Sequence, residues 1–227
     1  TSGYELIIAK FFITKKDPPT SLLTSSPSVI FMREDFSQTN ISCNLRKNLQ
    51  KRRMENIITR RITLNDLEKL QEIGRKTFEE TFSESNSEVN MSNYLEDSFS
   101  KEKLTAELQN KNSEFYFAIL EDQVIGYLKI NFGESQTELK DKKALEIQRI
   151  YVAKEFHGKR VGQILYDKAI EIAKQKASEY VWLGVWEDNP RAISFYKKNG
   201  FVAFDKHVFR LGDDEQTDIM MKMKLES

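Results

Sequence analysis

The run Ile147-Gln148-Arg149-Ile150-Tyr151-Val152 reads as a strand. After four intervening residues comes His157-Gly158-Lys159-Arg160-Val161-Gly162, and a helix-like run begins at once. The chemistry this order suits is anion binding. The first turn of a helix carries about four backbone N–H groups with no intrahelical partner, and the helix dipole adds partial positive charge at that end. Together they make a phosphate site. Gly158 and Gly162 let the backbone approach an anion closely, and Lys159 and Arg160 add formal charge. The same pattern also describes an ordinary capped turn. A Walker-type Gly-Lys-Ser/Thr sequence is absent.

A second constellation follows about 25 residues on, in the run from Trp182 through Phe201. Asn189 is of N-cap type, Pro190 follows it, and Gly200 stands just past the helical run. Tyr196 lies seven residues after Asn189. Two helical turns separate them, so both point to one side. A polar cap and a phenol would then line one edge of a sheet.

These two motifs resemble the signature of the GCN5-related N-acetyltransferases. That signature is a strand, a Gln/Arg-x-x-Gly-x-Gly/Ala turn and a helix, then Asn-x-x-Ala-x-x-Phe-Tyr-x-x-x-Gly-Phe. The second motif is met by Asn189, Ala192, Phe195, Tyr196, Gly200 and Phe201. The first departs from it twice: His157 stands for the leading Gln/Arg, and Arg160 for the central glycine. The closing run 211–220, with Trp182-Leu183-Gly184-Val185-Trp186, is similar to the bacterial PaiA-type spermine/spermidine N-acetyltransferases.

The resemblance implies acetyl-CoA as cosubstrate. It would be held by Ile150, Tyr151 and Val152, by His157, Gly158, Lys159, Arg160, Val161 and Gly162, and by Asn189. It implies Tyr196 as the acid that protonates the departing thiolate, and strand N–H groups that polarise the thioester carbonyl. The place of the family's glutamate is taken by Gln148, which cannot accept a proton. Glu146, two residues earlier and on the same strand face, is the candidate base; the alternative is an edge glutamate in solvent. A polyamine acceptor would account for Glu79, Glu80 and Glu84 after the first helix, and for Asp213, Asp214 and Glu215 near the end. Trp186, Tyr94 or Phe82 would cover its methylene chain. The other readings are a protein or peptide amine as acceptor, and a non-catalytic CoA-binding regulator. His207 reads as a strand histidine.

The elements that must position these groups are legible from periodicity. A strand at 57–62 is followed by Thr63 as an N-cap with Asp66 three residues on. Leu64, Leu67, Leu70, Ile73 and Phe78 then recur at helical spacing. Further helices read at 88–95, 101–108, 161–175 and 191–198. Strands read at 114–120 and 124–132 (a hairpin), at 144–152 and 180–186, and at 201–210 and 218–225, the last two around a loop at 211–217. This mixed order predicts an α+β (mixed α/β) fold: one twisted mixed sheet of about six to seven strands with helices on both faces.

The chain has 227 residues, 35 basic and 35 acidic. The whole-chain charge therefore gives no electrostatic reason to expect nucleic acid or a membrane surface as partner. Nine Lys/Arg and four Asp/Glu fall in residues 1–53, with three of the four prolines. This segment reads as a poorly ordered extension ahead of an acetyltransferase domain at 54–227. Its Arg46-Lys47 and Lys51-Arg52-Arg53 patch would also suit a nucleic-acid arm. A single cysteine and two histidines leave no disulfide and no multi-histidine metal site, which fits a cytoplasmic protein. No apolar run approaches the roughly 18 residues of a membrane span. A homodimer is left open.

Overall fold

The computed structural model describes residues 56–83, 86–211 and 214–226. The extension expected at 1–53 lies outside these residues, as do Glu84 and Asp213. Seven strands form one sheet: β1 (Ile58–Arg61), β2 (Ser113–Leu120), β3 (Gln123–Phe132), β4 (Ala144–Val152), β5 (Tyr180–Trp186), β6 (Val202–Leu211) and β7 (Asp214–Lys224). Their order across the sheet is β1-β2-β3-β4-β5-β7-β6. Five α-helices accompany them: α1 (Leu67–Phe82), α2 (Glu88–Ser98), α3 (Lys101–Gln109), α4 (Val161–Gln175) and α5 (Pro190–Lys198). The expected mixed sheet with two helical faces is the one found.

Each face has its own core. On one, Leu165, Ala169, Ile172 and Ala173 of α4 and Ala192 and Tyr196 of α5 pack on Leu145, Ile147, Ile150, Val181, Leu183 and Val185. On the other, Leu70, Ile73, Phe78 and Phe82 of α1 join Met91 and Leu95 of α2 and Leu104 of α3. These cover Phe115, Phe117, Tyr127 and Tyr151. Side chains on successive strand residues point to opposite faces, so one strand such as β4 supplies both cores.

Local signals start and stop the helices. The Asp66 carboxylate accepts from the Thr63 N–H at 3.0 Å and from its hydroxyl at 3.0 Å, closing the turn that leads into α1. Ser87 and Ser100 cap α2 and α3 by accepting from Asn90 N–H and Lys103 N–H, both at 3.2 Å. At the end of α5, Gly200 adopts φ +88°, and Phe201 N–H reaches back to Tyr196 C=O at 3.0 Å. This six-to-one bond stops the helix and folds Phe201 onto it.

The closing hairpin differs from the expectation. The loop read at 211–217 is largely ladder: β6 runs to Leu211 and β7 starts at Asp214, with Arg210 opposite Glu215 and Phe209 opposite Gln216. Polar composition suggests a loop, but a two-stranded extension beyond the core satisfies its backbone whatever its side chains are.

On the α1–α3 face lies an enclosed ionic group. Glu107 of α3 accepts from Arg149 of β4 at 3.0 and 3.2 Å, and Lys129 of β3 approaches it to 2.6 Å. Burial alone would raise the Glu107 pKa, but the Arg149 and Lys129 charges outweigh it and hold the carboxyl down to about 2. Burial lowers the Lys129 ammonium to about 8 against the pull of Glu107.

Because the folded pKa of Glu107 lies below its ordinary 4.5, its contribution is fully present above that pH and is lost as pH falls through about 2. Glu107→Gln should cost about 3–5 kcal/mol at neutral pH, since two buried cations lose their partner. The gap between variant and wild type should narrow between pH 4.5 and 2. Urea denaturation at a series of pH values measures both.

Candidate active site

The sheet is opened at its centre. β4 and β5 run parallel and pair only at Ala144–Tyr180, Leu145–Val181 and Glu146–Trp182. Beyond that, β4 follows β3 out to Val152, while β5 follows β7 out to Trp186. A bulge sits where they part: Lys129 faces Arg149 and Ile130 faces Ile147, so Gln148 is the extra residue. Such a bulge bends its strand and strengthens the local twist. Alternation therefore slips, and Arg149 and Tyr151 face α1–α3, as does Glu146 before the bulge. Close approach is needed further along the same pair, where Gly126 faces Val152. A Cβ on Gly126 would lie 2.6 Å from the Tyr151 carbonyl oxygen, so glycine lets β3 follow the bent strand.

A hydrogen-bonded group fixes the bulge. The Asn131 amide donates to Glu146 and to Gln148, at 2.9 Å each, and its oxygen accepts from Ser113. The Glu146 carboxylate also accepts from Thr137 N–H at 3.0 Å and from its hydroxyl at 2.5 Å. Glu146 is 1 % exposed. Burial raises its pKa against these donors. The expected base is thus enclosed and engaged from three directions.

The loop after β4 has the expected helix behind it. The first bond of the α4 ladder runs from Ile164 N–H to Arg160 C=O, so the N–H groups of Val161, Gly162 and Gln163 precede the ladder. Arg160 adopts φ +63° and ψ +6°, the left-handed region, and Gly158 has φ +72°. An arginine there costs roughly 1–2 kcal/mol that a glycine would not. The Arg160 side chain is exposed, and the Lys159 ammonium rests over the Phe156 ring at 4.9 Å. His157 Nε2 lies 2.7 Å from the Val152 carbonyl oxygen. A carbonyl only accepts, so Nε2 carries the hydrogen. Burial lowers the His157 pKa, leaving the ring neutral at pH 7. His157 thereby ties the loop to the end of β4.

The α5 cap and helix carry two buried polar atoms without a hydrogen-bond partner: Asn189 Nδ2 and the Tyr196 hydroxyl. Asn189 Oδ1 is used in capping α5, accepting from Ala192 N–H at 3.1 Å. Tyr196 is fully buried among Phe195 and Phe201, and burial raises its pKa well above the ordinary phenol value. An orphaned donor, an orphaned phenol and a helix N-terminus fit a phosphorylated ligand whose far end reaches between β4 and β5.

On the α1–α3 side, Phe82 and Tyr94 both stack on Phe78, at 4.2 and 4.3 Å, and Trp186 packs against the same cluster. All three rings belong to or pack against one core cluster, on the α1–α3 face. Of the expected carboxylates, Glu79 and Glu80 lie in the last turn of α1 and not after it, because the helix runs on to Phe82. Glu79 is exposed on α1. The Glu80 carboxylate accepts from Lys154 N–H at 2.8 Å, bracing α1 against the loop after β4. Asp214 and Glu215 belong to β7, opposite Leu211 and Arg210. His207 lies on β6, as expected, with Nδ1 3.3 Å from Glu138. The bulge, Gly126 and Asn131 were missed by sequence reasoning; the isolated Gly126 within a strand pattern was the available signal.

Among the described residues, no helix is long and apolar enough to cross a membrane, and no group of three or more His, Cys, Asp or Glu is placed to hold a metal ion.

The profile of the acetyltransferase (GNAT) family matches residues 67–201. An uncharacterised N-acetyltransferase of Lactobacillus delbrueckii subsp. lactis is 39 % identical over 164 residues, covering 72 % of this chain and 95 % of the relative. The spermidine N(1)-acetyltransferase of Thermoplasma acidophilum is 28 % identical over 172 residues, 74 % of this chain and 97 % of that protein. The crystal structure of the PaiA N-acetyltransferase of Thermoplasma acidophilum, in complex with coenzyme A, superposes with a TM-score of 0.62. It shares 28 % identity and covers 75 % of this chain and 99 % of that one.

Arg160→Gly should raise the unfolding free energy by about 0.5–1 kcal/mol, the left-handed cost less the larger chain entropy of glycine. Guanidinium denaturation measures the difference; equal stabilities would mean that Arg160 carries no backbone cost.

Proposed function

Because the chain belongs to the acetyltransferase (GNAT) family, we propose that its N-acetyltransferase activity acts on a primary amine of a polyamine, by direct transfer with both substrates bound. Acetyl-CoA supplies the acyl group. The observation that carries this reading is the opening between β4 and β5. Tyr196 and the first residues of α4 belong to the core on one face of the sheet there, and aromatic rings belong to the core on the other.

In this reading the N–H groups of Val161, Gly162 and Gln163 hold the pyrophosphate, with Lys159 and Arg160 adding positive charge. Asn189 Nδ2 donates to the pantetheine arm. The backbone of Ile150, Tyr151 and Val152, on the β4 edge that has left β5, takes the rest of that arm and polarises the carbonyl. The neutral amine nitrogen attacks the carbonyl carbon, the carbon–sulfur bond breaks, Tyr196 gives its proton to sulfur, and the proton released by the nitrogen passes to water, from which the phenolate is reprotonated. An enclosed phenol with a raised pKa is fully protonated at neutral pH, as a general acid must be. Glu146 and Gln148 enter as the pair that fixes the bulge. A carboxylate taken up by Thr137 and Asn131 is closed to an incoming amine.

The polyamine assignment is supported by the likeness to the spermidine N(1)-acetyltransferase and by the rings Phe82, Tyr94 and Trp186, which suit a methylene chain. Glu79, Asp213, Asp214 and Glu215 remain candidates for distal ammonium groups; Glu80 would first have to leave Lys154.

Thiol release from acetyl-CoA with spermidine, spermine and lysine peptides tests the acceptor class. Turnover above the blank with polyamines alone is expected; turnover with peptides alone would replace the polyamine by a protein amine. Tyr196→Phe should lower kcat about 10²–10⁴-fold at neutral pH while CoA affinity, measured by calorimetry, stays within about twofold. An unchanged kcat would remove Tyr196 from the acid's role.

A further inference from the structure

Asp218 stands on β7 directly opposite Trp186 of β5 and His207 of β6. Residues opposite one another in a ladder put their side chains on one face. The carboxylate therefore shares the α1–α3 face with the Trp186 ring, and with the cluster that includes Phe82, Tyr94, Tyr127 and Tyr151. Its neighbours along β7, Thr217 and Ile219, point to the other face. Asp218 is 0 % exposed.

Tyr151 locates it further. This residue belongs to the part of β4 that has already parted from β5. Its ring stacks on Tyr127 at 5.7 Å, and its fully enclosed hydroxyl has no hydrogen-bond partner. Ionisation of that hydroxyl is suppressed first by burial and then by its neighbours Tyr127 and Tyr94; the Arg149 charge opposes this and the Asp218 charge adds to it. Asp218 on β7, opposite Trp186, and Tyr151 on β4 thus lie on the same face of the sheet, on the two sides of the opening.

A carboxylate on the same face as an aromatic cluster is the chemistry that holds an alkylammonium. The charge pairs with the N–H groups, the ring quadrupoles attract the cation, and the rings cover its methylenes. We propose that Asp218 anchors the acceptor: its carboxylate binds the arriving alkylammonium at the wide end of the β4–β5 opening, with the Tyr151 hydroxyl as second partner, and the nitrogen gives up one proton to solvent water before it attacks. This rests on the reading of the chain as an amine acetyltransferase. It gives that site a requirement for acceptors that arrive as cations, which the residues named earlier for distal ammonium groups do not supply.

The test is steady-state kinetics of the full chain with acetyl-CoA and spermidine. Asp218→Asn should raise the acceptor KM about ten- to hundredfold, the value of a hydrogen bond to a charged group. The acetyl-CoA KM should stay within about twofold, and Asp218→Glu should recover part of the loss. An unchanged acceptor KM in a folded Asp218→Asn protein overturns the anchor and leaves the acetyltransferase reading standing, since the wild type still turns over. A wild type that acetylates no amine overturns both. If Asp218→Asn does not fold, the wild type decides through inhibition against spermidine. Hexyltrimethylammonium should compete at least about tenfold better than hexanol; equal inhibition by the two overturns the anchor.

Discussion

Three residue pairs hold β4 to β5, and then the two strands part. Everything at the site depends on that limit. A parallel ladder continued to Val152 and Trp186 would bury both strand edges against each other and leave no passage between the two faces of the sheet. The bulge at Gln148 turns β4 toward β3, Gly126 makes room for the bent strand, and the Asn131 group keeps the bulge in place. The ladder between β5 and β7 carries β5 the other way. The opening is a consequence of backbone pairing, with side chains only holding its sides.

Enclosed charge stabilises the same region. Glu107 reaches from α3 to Arg149, the residue just after the bulge, and to Lys129 opposite it. Breaking such a group exposes charges the interior cannot solvate. It therefore couples α3 to the bent part of β4 more strictly than apolar packing would. Glu80 does a similar thing at the surface, where α1 braces the first residues of the loop after β4.

Much of this was legible in the sequence. Helix α4 follows from apolar spacing at Val161, Leu165, Ala169, Ile172 and Ala173; α5 follows from Asn189, Pro190 and Gly200. The pairing of Asn189 with Tyr196 needed only helical periodicity. The bulge was not legible, because a single extra residue leaves the composition of β4 unchanged and shows only in the register with β3. The engagement of Glu146 was hidden for a related reason: its donors Asn131 and Thr137 come from a neighbouring strand and from the connection before β4. The β6–β7 hairpin was read too short because polar residues in an outer ladder look like a loop. Arg160 stood out as a departure from the resemblance, but only coordinates show that it occupies a left-handed position. Asp218 gave no signal of its own; its burial depends on which strands flank β7.

Helix α5 is fixed at both ends, by the Asn189 cap and by the turn at Gly200. Between them the seven-residue interval from Asn189 to Tyr196 is a length standard of about 10.5 Å, because each residue adds about 1.5 Å of rise. One residue inserted or removed inside it would swing the phenol about 100° around the helix axis. This segment can therefore drift in residue identity during evolution while its length stays frozen.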